Sequence, residues 1–88
     1  MKKIWSDNAW EDYLYWQSQD KNMLKRINRL IKDIERNGYK CIGKPEPLKG
    51  NLSGFYSVRI DEKHRLVFRL TNQDTIEIAQ CKTHYGDK

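Results

Sequence analysis

Only two cysteines, two prolines and two histidines occur in 88 residues. Cys41 and Cys81 form no CxxC motif, and together with His64 and His84 they lack the spacing of a zinc finger. Buried or half-buried thiols in a reduced cytosol are the expectation instead. No stretch approaches the roughly 20 apolar residues that span a bilayer. The N-terminal Met1-Lys2-Lys3-Ile4-Trp5 starts like a secretion signal but meets Ser6-Asp7-Asn8 at once, with no apolar segment behind it. These absences point to a cytosolic protein with no disulfide frame, no metal or other cofactor and no membrane anchor. The length points to a single domain over residues 1–88, with a core that leans on aromatics or on a partner.

What is abundant is aromatic area and positive charge. Three Trp, five Tyr and two Phe supply large buried surface per residue, and 17 Lys and Arg against 12 Asp and Glu leave a net charge of +5. That surplus suits an anionic partner, nucleic acid first and an acidic protein second, and it equally serves solubility.

Ser6 or Asp7 reads as an N-cap, followed by Trp10, Tyr13, Leu14 and Gln17 at helical spacing. A first helix is therefore expected from Asp7 to Ser18, with Lys2 to Trp5 before it as an edge strand. Asp20 caps a second helix that carries Met23, Leu24, Ile27, Leu30, Ile31 and Ile34 on one face. Asn37-Gly38 stops it, glycine entering the left-handed conformation without steric cost. The opposite face holds Lys21, Lys25, Arg29, Lys32 and Arg36, ordinarily a solvated face and alternatively an electrostatic footprint for a phosphate backbone. From Gly38 to Gly50, Gly43, Pro45 and Pro47 preclude a regular helix, and the two prolines restrict the backbone of Glu46 between them.

Phe55–Ile60, His64–Leu70 and Thr75–Thr83 are rich in β-branched and aromatic residues and read as antiparallel strands. Pairing Val58 with Leu66, Tyr56 with Phe68, Phe68 with Ile78 and Leu70 with Ile76 gathers one apolar face for the helices to cover. The fold class is then α+β, an N-terminal helical hairpin packed on one face of a twisted, mostly antiparallel sheet. The same register sets Arg69 against Glu77 as an ion pair, and Arg59 against Arg65 on the face away from the helices. Like charges directly opposed destabilise a sheet, an arrangement that makes sense if an anion or a carboxylate sits between them.

RNA can be cut without a metal because the ribose 2′-OH attacks the adjacent phosphorus, forming a cyclic phosphate and releasing the 5′ oxygen. The enzyme supplies a base for the 2′ proton, a cation for the phosphoryl oxygens and an acid for the leaving oxygen. Here Glu46 or a histidine can be the base, Arg59, Arg65 and Lys49 the cations, and His84 or His64 the acid. Arginine suits the cation role because its planar fork grips two phosphate oxygens. Tyr85 can orient the phosphate or stack on an unpaired base. His64 falls on the apolar face beside a turn and reads as structural.

Three linked runs carry a resemblance: Gly43-Lys44-Pro45-Glu46-Pro47-Leu48-Lys49, Asn51-Leu52-Ser53-Gly54-Phe55 and Glu62-Lys63-His64-Arg65-Leu66-Val67. With Ile4-Trp5-Ser6, the segment from Trp10 to Trp16 and the terminal His84-Tyr85, they resemble the YoeB/Txe toxins of the RelE/ParE superfamily over nearly the whole chain. The resemblance implies a RelE-like microbial RNase fold and an mRNA endonuclease acting in the decoding site of a translating ribosome. It also implies an acidic YefM/Axe-like antitoxin, with a homodimer as a further option. Carried over by position, Glu46 is the general base, Arg65 the phosphate stabiliser, His84 the general acid and Tyr85 the positioning aromatic, supported by Lys49 and Arg59. Gly86-Asp87-Lys88 depart from the pattern, because such toxins typically end at the His-Tyr pair. The competing reading is a non-catalytic binder on the same fold, either a ParE-like gyrase poison or an antitoxin-binding module.

Overall fold

The computed structural model describes residues 1–72 and 74–83, which form two helices and a mixed five-stranded sheet. The elements run β1 (Lys2–Trp5), α1 (Asp7–Gln19), α2 (Lys21–Asn37), β2 (Glu46–Pro47), β3 (Tyr56–Arg59), β4 (Arg65–Thr71) and β5 (Thr75–Gln80), with short 3-10 turns at Gly38–Lys40 and Gly50–Leu52.

Both helices start where capping chemistry puts them. The Ser6 hydroxyl accepts from the Ala9 N–H at 3.0 Å, one of the donors a helix start leaves unpaired. Asp20 serves two helices at once. Its N–H closes α1 on the Trp16 carbonyl, and its carboxylate accepts from the Asn22 and Met23 N–H groups at 3.1 and 3.3 Å to open α2. An extended backbone at this one residue folds the hairpin back on itself. Met23, Ile27, Ile31 and Ile34 form the buried stripe of α2, with Leu24 and Leu30 at its margin. Lys21, Lys25, Arg29, Lys32 and Arg36 are all exposed. Gly38 ends α2 with φ at +59°, a value glycine takes freely, although its ψ of −137° departs from the left-handed helix expected there.

The strand order is β1-β5-β4-β3-β2. The expected registers hold: Tyr56 faces Phe68, Val58 faces Leu66, Arg59 faces Arg65, Phe68 faces Ile78, Arg69 faces Glu77 and Leu70 faces Ile76. The helices cover the face of Val58, Leu66, Phe68, Ile76 and Ile78, packing Ile27, Ile31, Ile34, Ala9 and Trp16 against it. Arg69 Nε meets Glu77 at 3.0 Å. β1 is an edge strand, as expected, but pairs in parallel with β5, which makes the sheet mixed.

Two features differ from the strand boundaries read off the sequence. Glu46 and Pro47 form a two-residue edge strand on β3 where only a loop was expected, an edge being where proline's missing N–H is tolerated. At the other end, β5 stops at Gln80 instead of reaching Thr83, because a bulge at Ala79 shifts the register so that Gln80 faces Val67. The Ala79 carbonyl is taken up by the Ser6 hydroxyl at 2.8 Å. Both cysteines are free and buried. No helix among the described residues is long and apolar enough to cross a membrane.

Candidate active site

The face of the sheet away from the helices is where functional side chains gather. Gly43 and Lys44 both take positive φ, +107° and +50°, turning the chain sharply before Pro45. Leu48, 6% exposed, then anchors the segment, its N–H donating to the Phe55 carbonyl at 3.0 Å. Between these points Glu46 is the register partner of Ser57, so the two side chains leave the sheet on the same side. Two residues along β3, Arg59 leaves on that side too, opposite Arg65 on β4.

The β3–β4 turn holds Arg65 in place. The Asp61 carboxylate accepts from the Lys63 and His64 N–H groups at 2.9 and 2.7 Å, tightening the turn. Burial pushes this carboxyl up, but those two N–H groups, with the charges of His64 and Arg26, outweigh it and hold the group below its ordinary value. Three turn carbonyls, of Asp61, His64 and Glu62, then accept from Arg65 Nη1 at 2.8, 3.1 and 3.3 Å. Among the described residues, Nε and Nη2 of Arg65 have no such partner, so the guanidinium is fixed at one corner and free at the others.

Glu46, Arg59 and Arg65 line one open cleft of about 540 Å³ together with Gly43, Lys44 and Ser57. Three cations and one carboxylate converge there. An anion with several oxygens fits this balance, and a single carboxylate beside it can take a proton. Arg59 also lines a neighbouring groove of about 250 Å³ with Arg26, Arg29, Leu30, Asp33, Ile42 and Ile60. Positive charge therefore continues from the cleft onto the exposed face of α2.

Past β5 the chain is clamped residue by residue. Cys81 N–H donates to Asp12 at 3.0 Å, and the Cys81 carbonyl accepts from the Trp16 indole at 2.8 Å. Burial raises the Asp12 carboxyl above the usual range, against the Cys81 N–H and Lys82, which draw it down. Burial, with Asp12 nearby, pushes the Cys81 thiol up to about 12. Lys82 stands over the Tyr15 ring at 3.8 Å. Thr83 N–H donates to His64 Nδ1 at 2.6 Å, and its carbonyl accepts from the Arg65 N–H at 3.1 Å and the Gln80 amide at 3.3 Å. Thr83 has φ at +61°, which for a β-branched residue costs on the order of 1–3 kcal/mol unless its surroundings impose it.

Of the six site residues expected from sequence, the structure thus brings Glu46, Arg59 and Arg65 into one cleft. Lys49 is exposed at the start of the Gly50–Leu52 turn and does not line the cleft. His84 and Tyr85, like the Gly86-Asp87-Lys88 tail, lie outside the described residues. His64 sits where a structural residue would, its ring edge-on to Trp16 at 4.8 Å. Lys44 and Ser57 are cleft residues that sequence reasoning did not single out. The signal for Lys44 was present in the run that carries Glu46. Ser57 follows from pairing Glu46 with β3, for which the sequence gives no sign. Among the described residues, no three of His, Cys, Asp and Glu group so as to hold a metal ion.

Residues 5–85 match the family of YoeB-like toxins of bacterial type II toxin–antitoxin systems. Toxin YoeB of Escherichia coli K12 is 58% identical over 85 residues, spanning 97% of this chain and 100% of the relative. The fold is similar to that of a YoeB/ParE toxin from Agrobacterium tumefaciens, with a TM-score of 0.90 and 42% identity across 97% of this chain and 100% of that one. Staphylococcus aureus YoeB, solved both as a dimer and in a heterotetrameric YoeB-YefM complex, gives a TM-score of 0.87 and 51% identity across 97% of this chain and 98% of that one.

Proposed function

The chain belongs to the YoeB-like toxins of type II toxin–antitoxin systems, and from that membership and the Glu46–Arg59–Arg65 cleft we propose that it is a ribosome-dependent mRNA endoribonuclease. The observation that carries this reading is the opposition of Arg59 and Arg65 across β3 and β4 with Glu46 in the same cleft. A sheet has no structural reason to oppose two guanidinium groups, whereas a phosphate between them turns repulsion into a clamp.

In this mechanism Glu46 removes the proton from the ribose 2′-OH, which attacks the neighbouring phosphorus. Arg65 and Arg59 take up the negative charge growing on the phosphoryl oxygens, and Lys44 adds to the field. The turn carbonyls that grip Nη1 of Arg65 fix its position before substrate arrives, so little reorganisation accompanies the step. His84 gives a proton to the departing 5′ oxygen, and Tyr85 orients the phosphate or stacks on a base. The products are a 2′,3′-cyclic phosphate and a 5′-hydroxyl. Open on one side, the cleft suits a single strand displayed in the decoding site, and cutting there stops translation in the cytoplasm.

The S. aureus relative assembles with YefM and with itself. By the same family relation this chain pairs with an acidic antitoxin of that type, which its net charge of +5 favours, and it can form a homodimer. Residues 1–88 act as one toxin domain.

Ribosomes programmed with a defined mRNA provide the test. The protein should cut in the decoding site and leave a cyclic phosphate, and a 2′-deoxy sugar at the scissile position should abolish cutting. Glu46→Ala and His84→Ala should each lower the rate on the order of 10²-fold or more. Undiminished cleavage of the deoxy substrate overturns the mechanism. Absence of cleavage with inhibition of gyrase supports a ParE-like binder instead.

A further inference from the structure

His64 is the histidine that the mechanism leaves unused, yet its ring is held from several sides. Trp16 of α1 stands edge-on to it, the Asp61 carboxylate binds its backbone N–H, and its own Nδ1 accepts from the Thr83 N–H at 2.6 Å. That acceptor role puts the ring proton on Nε2. The peptide on the far side of Thr83 is caught as well, by the N–H of Arg65 and the side chain of Gln80. With both its polar backbone groups bound, Thr83 keeps a positive φ that a free β-branched residue would leave. The chain continuing from it thus departs from a fixed peptide, hydrogen-bonded to the backbone of a residue whose side chain lines the cleft.

We propose that His64 is a positioning residue for the reaction, its Nδ1 holding the Thr83 amide so that the next residue, His84, is delivered to the cleft of Glu46, Arg59 and Arg65. The proposal rests on His84 acting as the general acid. A histidine here does more than fill space beside Trp16: it supplies the acceptor that fixes the direction of the chain. Asparagine at position 64 places an acceptor oxygen near where Nδ1 stands, whereas alanine leaves the Thr83 N–H without it.

The test compares His64→Ala and His64→Asn, each alone and combined with His84→Ala, on programmed ribosomes. Melting curves verify folding, and the Asn variant keeps the test decisive if the Ala variant unfolds. Loss of position by about 1 Å can cost on the order of 10²-fold in rate, so His64→Ala should lower kcat by roughly 10- to 100-fold with KM nearly unchanged. His64→Asn should recover most of that loss. In the His84→Ala background, His64→Ala should cost almost nothing further, because the group it positions is already gone. Equal loss in Ala and Asn variants, or the full loss persisting without His84, overturns the proposal. Amide hydrogen exchange at Thr83 gives a readout independent of cleavage, fast in His64→Ala and slow in the wild type and in His64→Asn. If His84→Ala cuts normally, the acid assignment fails. Equal Thr83 exchange in all three proteins overturns the positioning claim itself.

Discussion

Replacing Arg59 by Gln should make the protein more stable and less active. The reasoning starts from two positive side chains that are register partners on one face of the sheet, with Cβ atoms about 5 Å apart. Arg65 is drawn toward the turn carbonyls, so the charges themselves stand farther apart, at roughly 6–8 Å in a solvated setting. Coulomb repulsion at that range in a dielectric near that of water is about 0.5–1 kcal/mol. Arg26 and Arg29 in the adjoining groove add to it, while Asp33 offsets part. For a domain of this size the gain corresponds to a rise in melting temperature of roughly 2–8 °C. Paired melts at 10 mM and 1 M salt isolate the cause, because the Debye length falls from about 30 to 3 Å and the advantage should vanish at high salt. Cleavage on programmed ribosomes should fall by about tenfold or more as one phosphate donor is lost. A variant that is less stable at low salt, or whose gain survives 1 M salt, refutes the electrostatic account of this pair.

Trp16→Phe removes the indole donor from the buried Cys81 carbonyl and should destabilise by about 2 kcal/mol, read in denaturant unfolding at constant m-value. Cys81, with its thiol pushed up to about 12 and no exposed surface, should resist alkylation at pH 8 until the protein unfolds, so its labelling rate reports global opening. Asp61 has a folded-state pKa below the ordinary 3.8, so the stability it contributes is present above that value and fades as pH falls through the lower folded one. The stability difference between the wild type and Asp61→Asn should therefore shrink on acidification below about pH 4, measured by urea unfolding across pH 2–6.

How far the sequence foretold the molecule depended on whether a feature is local. Ser6 and Asp20 cap their helices because a short polar side chain reaches its own N–H groups wherever the chain lies. The β3–β4 and β4–β5 registers follow from alternation across short turns, and with them came the opposed arginines. The partner of β1 did not, since Lys2–Trp5 pairs with Thr75–Ile78 across almost the whole chain and alternation names a face, not a neighbour. Neither did the bulge at Ala79, which answers to the Ser6 hydroxyl far away in sequence. Lys44 enters the cleft through two consecutive positive φ values, which no pattern of polarity reveals. Lys49, equally basic and five residues on, falls outside it.

The parallel pairing of β1 with β5 also orders events in time. The helical hairpin closes through contacts between near neighbours in sequence, and the three strands from Tyr56 to Gln80 form a meander through short turns. β1, although synthesised first, has no partner until residues 75–78 have been made and have emerged. The clamp on Cys81 and Thr83 comes later still, drawing on Asp12, Trp16 and His64 that have long been in place. A protein that attacks ribosomes is thus assembled in an order that withholds its finished sheet from the ribosome translating it. A truncated or stalled copy lacking β5 would leave β1 unpaired and the helices over a partial sheet.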